Sequence, residues 1–322
     1  MRPKLETSLA TIAAEAGVSI STVSRVLNNR GRISEATRRR IQELLRSHDF
    51  FFRRGSRNVL LVMSDILGDM GCYDLRVLSA IRCEALRRGY GLEMVGCDDL
   101  SMVSDHDFLG VLSMDIRQDL SLKWRRISNS PLVCINDSGN PVTGIPSVYS
   151  DEKSSVPRAI EHLVGYNHRR IGLLLWGEDN FCSRFRKETF LEGMASQGLS
   201  GSAFVVSYAS EPLGAIDTLL KSGVTAIIIP SETMSIQTLH CLRALGRRVP
   251  EDLSLVAWEY RGVSEFLDPP LTALEQDFET MALCAFETLE KLANGLKVQL
   301  QQKIAYKLFK RESVALPPSR RQ

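Results

Sequence analysis

The sequence predicts an α/β protein: an N-terminal three-helix unit of helix-turn-helix type, followed by a two-lobed body of doubly wound parallel sheets. Three observations carry that expectation. Residues 8 to about 50 hold three short stretches whose apolar side chains follow helical spacing. From residue 58 onward, apolar strand-like runs alternate with amphipathic helical stretches. Charge divides at the same place. Residues 1–58 carry twelve Arg and Lys against five acids, net +7; the remainder carries 28 against 33, net −5, in a chain of total charge +2. A basic head on an acidic body is the electrostatic footprint of a protein whose head alone meets phosphate. A solvated basic surface is the alternative that charge alone leaves open.

The head reads as follows. Ser8 is placed to cap a short helix with Leu9, Ile12, Ala13 and Ala16 at helical spacing. Gly17 suits a left-handed C-terminal position, and Val18 anchors the turn. Ser19 caps a second helix whose buried side is Val23, Val26 and Leu27, and alanines at 13, 14 and 16 permit close crossing of the two. Ser34 caps a third, with Ile41, Leu44 and Leu45 inward.

In the body the strand candidates are Val59–Met63, Leu92–Val95, Gly110–Ser113, Leu132–Ile135, Ile171–Leu175, Ala203–Val206, Ala226–Ile229 and Leu253–Ala257. Helical stretches between them include 73–88, 154–164, 187–197, 212–222 and 235–245. Two successive sets predict two doubly wound lobes, in which ligands sit beyond the carboxyl ends of strands. Only Cys97 to Phe108 joins the second and third strands, too little for a full crossover helix, so the first lobe is trimmed.

Composition bounds the function. Hydrophobic residues at 44% and charged residues at 24% exclude wholesale disorder. The seven cysteines (72, 83, 97, 134, 182, 241, 284) are odd in number and include no CxxC pair, which fits reduced thiols in a cytosol. No leader-like run and no apolar stretch of membrane-spanning length is present, so a cytoplasmic protein with no membrane partner is expected. The five histidines (48, 106, 162, 168, 240) lack metal spacing, and His168 in YNHRRIG is expected to cap or pack. GxSxG, Walker and GxGxxG motifs are absent, which leaves hydrolase, P-loop and dinucleotide readings without support. Neither cofactor nor metal is expected.

The segment ATIAAEAGVSISTVSRVLNNRGRISEATRRRI, and AGVSISTVSRVLN above all, resembles the DNA-binding headpiece of the LacI/GalR repressor family. The likeness continues more loosely through DEKSSVPRAIEHLVGYNHRRIGLL, VPEDLSLVAW and DPPLTALEQDF. It implies a transcriptional repressor, not an enzyme. Residues 1–57 would form the headpiece, and 58–316 a periplasmic-binding-protein-like body with crossing strands and a small-molecule effector, a sugar, between the lobes. The partners implied are double-stranded operator DNA and a second copy of the chain. On this likeness Ile20 and Ser21 occupy the base-reading positions, with Arg25 as the third. Arginine pairs bidentately with guanine O6 and N7, isoleucine touches a thymine methyl, and serine reads weakly. Ser19, Thr22, Ser24, Asn28 and Ser34 are placed for phosphate, a role compatible with capping.

The same likeness puts Arg186 where sugar-responsive relatives clasp effector hydroxyls, and a guanidinium fork suits that task; a surface arginine is the alternative. Ser231 and Glu232 stand where relatives often carry Asn-Asp. Glu259, behind Trp258, stands for an Asp one methylene shorter, and Asn136 replaces another Asp. Trp258 is expected either to stack on a sugar face or to pack in the core. The trimmed link and GEDNFCSRFRKETF are most similar to the β-galactoside-repressor branch.

One departure concerns the hinge. HDFFFRRGSRN runs into VLLVM with no proline and no leucine between Phe50 and Asn58, where relatives carry a hinge helix with a wedging leucine. The hinge is expected to be deleted or reduced to a basic tether, with Phe50, Phe51 and Phe52 packing under the head or one of them substituting as a wedge. That departure keeps a ligand-independent DNA binder open, beside a sugar-modifying enzyme with a fused head. The tail PPSRRQ lacks leucine heptads, so a two-fold dimer is expected rather than a tetramer.

Overall fold

The computed structural model describes residues 9–27, 33–47, 58–63, 72–102, 108–114, 130–135, 144–177, 181–208, 210–259 and 262–318. Ser8, Asn28, Asn136 and the expected hinge stretch 48–57 lie outside them.

The head packs as its periodicity predicts. Helices α1 (Leu9–Ala16), α2 (Ile20–Leu27) and α3 (Glu35–Ser47) close on Ile12, Ala13, Ala16, Val23, Val26, Ile41 and Leu45. Burying each larger side chain among these contributes roughly 1.5–3 kcal/mol. Gly17 takes φ 66°, ending α1 in a conformation that costs glycine nothing. The Thr22 and Thr37 amides donate to Ser19 Oγ and Ser34 Oγ at 3.2 Å each, so two of the three expected caps form, the third, Ser8, lying outside the described residues.

Among the described residues the body holds two six-stranded sheets. The first comprises β1 (Asn58–Met63), β2 (Gly91–Gly96), β3 (Phe108–Ser113), β4 (Leu132–Ile135), β5 (Ser147–Ser150) and β11 (Gln301–Ile304). Its order is β11-β5-β4-β3-β1-β2, parallel throughout. The second comprises β6 (Ile171–Trp176), β7 (Ala203–Tyr208), β8 (Ala226–Ile229), β9 (Ser254–Glu259), β10 (Thr272–Glu275) and β12 (Lys307–Phe309). Its order is β12-β10-β9-β8-β6-β7, with β12 antiparallel at the edge. Central strands such as IGLLLW, AIII and SLVAWE are buried almost throughout. Helices covering both faces make such runs continuously apolar.

Helices α4 (Cys72–Arg88) and α9 (Phe278–Ala293) serve the first sheet. The second is flanked by α5 (Glu152–Gly165) and α6 (Phe181–Ser196) on one face, and by α7 (Pro212–Lys221) and α8 (Glu232–Ala244) on the other. A 3-10 helix, Cys97–Met102, occupies the short link after β2, as its length required. Gly110 lets α9 approach β3: a Cβ there would lie 2.5 Å from Leu289 Cδ1 and 2.7 Å from the Pro131 carbonyl.

Among the described residues the chain crosses between lobes three times: from β5 into α5, from β10 into α9, and from β11 into β12. Each crossing leaves the carboxyl end of a strand, so those ends of the two sheets face one another. A cleft therefore lies where doubly wound sheets bind ligands. Among the described residues no helix is long and apolar enough to cross a membrane, and Cys83, Cys241 and Cys284 are free thiols.

His168 packs, as expected. It is fully buried, with Nδ1 2.8 Å from Thr225 Oγ1 and Nε2 2.9 Å from the Ala315 carbonyl and 3.0 Å from Ser254 Oγ. This pins the C-terminal segment to the second sheet. Burial holds its pKa below the usual histidine value, against the Ala315 carbonyl, which raises it; His162 adds a smaller depression. The folded imidazole is therefore neutral, while an unfolded one takes a proton below about pH 6.5. Its contribution is complete above that pH and is lost as pH falls. Urea midpoints are expected to drop between pH 7 and 5, and His168→Gln to flatten part of that drop. An unchanged profile in the variant contradicts the assignment.

Candidate functional site

The head presents one face outward. On α2, Ile20, Ser21, Ser24 and Arg25 fall within an arc of about 140° at helical spacing, opposite the buried Val23 and Val26. Ile20 is 51% exposed, an apolar side chain left in water on a helix that buries its valines. Ser21 and Arg25 are exposed beside it, and Ser24 and Thr22 are half-buried. Ser19 Oγ lies 2.8 Å from both Ser21 Oγ and Thr22 Oγ1, so capping and an outward hydroxyl cluster coexist. Ser34 opens α3 in the same manner, 2.7 Å from Thr37 Oγ1. The amino end of a helix with a basic face suits an anion.

The second cluster centres on Arg186, at the carboxyl ends of the second sheet. Ser183 Oγ donates to the Trp176 carbonyl at 2.9 Å, tying the first turn of α6 to the end of β6. Arg186, one turn on, donates Nη1 to the Pro230 carbonyl at 3.0 Å, just past the end of β8. Its Nη2 and Nε meet Glu152 Oε1 and Oε2 at 2.9 and 3.2 Å. This is a bidentate ion pair, with side chains 15% and 8% exposed. Arg186 is thus not a surface arginine.

Glu152 Oε1 also accepts from Tyr306 Oη at 2.5 Å and from Gln276 Nε2 at 3.4 Å. Burial, then the Glu152 carboxylate, holds the Tyr306 phenol well above the usual tyrosine range, which keeps it a donor. Trp258 is 1% exposed, meets Tyr306 edge-on at 6.1 Å, and has its ring 6.0 Å from the Arg186 guanidinium. Its Nε1 and the Gln276 Oε1 are buried without a hydrogen-bond partner among the described residues. They lie on one face of neighbouring strands, because Trp258 pairs with Leu274, two residues before Gln276. A hydroxyl, donor and acceptor at once, is the chemistry such a pair accommodates.

Of the two places expected for Trp258 the core is the one observed, and Glu259 departs from its expected place. Trp258 packs behind Arg186 instead of offering a face for stacking, because its strand position turns it into the core of α5 and α6. Glu259, one residue on, turns to the opposite sheet face. It accepts from the Val263 and Ser264 amides at 3.2 and 3.0 Å and pairs with Arg311 at 2.9 Å. It lines a separate polar cavity of about 390 Å³ with Glu275, Asp277, Lys307 and Arg311. Ser231 follows Pro230 and caps α8 through the Met234 amide at 3.4 Å. Glu232 opens α8, its side chain outside the described set. The structure therefore gathers Arg186, Ser231 and Trp258, and separates Glu259 from them.

Sequence reasoning missed Glu152, Gln276 and Tyr306 as site residues; Glu152 and Gln276 lie within family-like segments, but the three are far apart along the chain. It also missed Trp176. This indole is 50% exposed at the end of β6, in edge contact with Tyr208 at 5.6 Å. Tyr208 Oη donates to Gln237 Oε1 at 2.7 Å. Burial, then Cys241, pushes this phenol up to about 12.

Comparison with known proteins agrees with both halves. The model "Bacterial regulatory proteins, lacI family" matches residues 8–51, and "Periplasmic binding protein-like domain" matches residues 160–314. The HTH-type transcriptional regulator MalR of Streptomyces coelicolor is 30% identical over 321 residues, covering 90% of this chain and 91% of MalR. Among solved structures, a transcriptional regulator CelR–cellobiose complex aligns with TM-score 0.67 at 24% identity, over 96% of this chain and 100% of that one. The lac repressor dimer bound to operator and the anti-inducer ONPF aligns with TM-score 0.68 at 20% identity, over 96% and 99%. With an outward-facing recognition helix, a two-sheet body and a relative that matches along nearly its full length, the chain belongs to the lacI family of bacterial regulatory proteins, which are DNA-binding transcriptional regulators.

Proposed function

We propose that the chain is a cytoplasmic, non-enzymatic repressor in which a hydroxyl-rich small molecule, a sugar, binds beside Arg186 and changes operator affinity. The head, residues 1–57, reads bases with Ile20, Ser21 and Arg25 and holds phosphates through Ser19, Thr22, Ser24, Asn28 and Ser34. The body, residues 58–316, takes the effector at the strand ends. Arg186, Ser231 and the Trp258 indole N–H form its inner wall, with Asn136 and Glu232 assigned on family position. Trp176, 50% exposed at the end of β6, is assigned the aromatic face toward the apolar side of a sugar that Trp258 does not offer. Glu259 supports the loop after β9.

The observation that carries this reading is the placement of Arg186, a charged fork held at the strand ends beside an unpartnered buried donor and acceptor. CelR with cellobiose and the lac repressor with ONPF supply the precedent that bodies of this fold accommodate sugar-like ligands. For a homodimer, exposed Leu75 and Leu86 on α4 and Leu283 on α9 provide apolar surface on neighbouring helices.

The test is operator affinity, on a duplex selected from a randomised pool, measured with and without galactosides, cellobiose, maltose and purines. A sugar is expected to shift the operator Kd by about 5- to 150-fold, and operator to shift sugar affinity by the same factor. No shift with any compound removes the sensing claim and leaves a ligand-independent DNA binder.

A further inference from the structure

The three segments that cross between the lobes each contribute one side chain to a single buried knot. Glu152 stands at the first crossing, Gln276 at the second and Tyr306 at the third. All three are buried. Tyr306 Oη and Gln276 Nε2 both donate to Glu152 Oε1, and Gln276 Nε2 also lies 2.5 Å from Tyr306 Oη. Backbone links reinforce the knot: the Asp151 amide donates to the Ile304 carbonyl at 2.8 Å, and Arg158 donates to the Tyr306 carbonyl. The same Glu152 oxygen takes Nη2 of Arg186 at 2.9 Å.

Any change in the angle between the lobes must be absorbed by backbone torsions in these three segments, since they are the covalent links between the two sheets. A ligand that recruits the Arg186 fork must share it with, or take it from, Glu152. Loosening or tightening that carboxylate acts on all three crossings together. A bound ligand shifts a conformational equilibrium only through contacts that differ between the two states. The Arg186–Glu152 pair is where ligand occupancy and crossing geometry meet in one set of hydrogen bonds.

We propose that Glu152 is a positioning residue that passes effector occupancy at Arg186 to the angle between the lobes, with Tyr306 and Gln276 as its contacts to the other two crossings. This rests on the reading of Arg186 as an effector contact. It adds a transmission route that does not depend on which sugar binds.

Two full-length variants test it. Glu152→Gln keeps the size and one acceptor oxygen but removes the charge, and Tyr306→Phe removes one donor that does not touch Arg186. Hydrogen exchange on the ligand-free proteins is expected to quicken at residues 150–152, 275–278 and 304–307 together in both variants, with the head unchanged. Quickening confined to the substituted segment overturns the proposal. With cellobiose, maltose and galactosides as probes, Tyr306→Phe is expected to bind sugar within about threefold of the parent. The sugar-induced change in its operator Kd should fall to within about twofold of unity. A Tyr306→Phe protein that retains the full operator shift also overturns the proposal. If the parent binds none of these sugars, the sugar reading of Arg186 fails, while the exchange experiment still decides whether Glu152 ties the crossings.

Discussion

Replacing Arg186 with alanine is expected to destabilise the body by about 3 kcal/mol, because the change strands a buried carboxylate. Glu152 keeps its Tyr306 and Gln276 donors but loses both guanidinium contacts, at 2.9 and 3.2 Å. The Pro230 carbonyl loses its partner as well. The cost comes from the orphaned charge more than from any large net gain of the pair, so adding Glu152→Ala should return part of the loss. A urea-unfolding double-mutant cycle measures this. If the double variant is as unstable as the two single losses added together, the carboxylate is not acting through Arg186, and the site must be redrawn.

For Arg25→Ala the expected loss appears in binding, with the fold untouched. Arg25 is exposed on the outer face of α2, opposite the valines that hold the head together. Its removal should leave thermal unfolding of the head unchanged. Losing a bidentate arginine–guanine pair costs about 1–3 kcal/mol of discrimination, or roughly 5- to 150-fold, in each half-site. Non-specific affinity should change far less, since its slope with salt is set by the number of phosphate contacts. The measurement is fluorescence anisotropy on the selected operator and on duplexes with each guanine substituted in turn. A variant that still discriminates every guanine position refutes the assignment of Arg25 as a base reader.

The head was legible almost residue by residue. Its helices are short, each has a serine cap or a glycine stop, and Ile12, Val23, Val26, Ile41 and Leu45 declare the inward face through spacing alone. The central strands were legible for a related reason: a strand covered on both faces must be apolar throughout, and AIII or LVCI leaves few alternatives. The crossing strands were not. SVYS, QQKI and KLF are only three or four residues long and lack a continuous apolar run. Backbone pairing holds them, β11 beside β5 154 residues earlier and β12 beside β10 32 to 36 residues earlier, and their own side chains say little. Helix α9 escaped notice in the same way, because the sheet it covers is built largely from residues some 150 to 220 positions earlier in the chain.

The site divides along the same line. Arg186 was found through family position, and its surroundings were not, since Glu152, Gln276 and Tyr306 meet only because three crossings converge. Trp258 and Glu259 show the limit most sharply. They are adjacent in sequence, and side-chain alternation along β9 sends one into the core beside Arg186 and the other to Arg311 on the opposite face.

By itself, then, the sequence determined a head of three short helices, whose DNA reading the family resemblance implies, and a body of two parallel α/β lobes. Those features follow from local periodicity, capping chemistry and the apolar demand of buried strands. Only the tertiary structure decided which carboxylate holds Arg186, which tryptophan is exposed, and how the lobes are tied. The reason is physical: each depends on residues brought within about 3 Å by sheet order and strand facing, and local sequence pattern encodes neither.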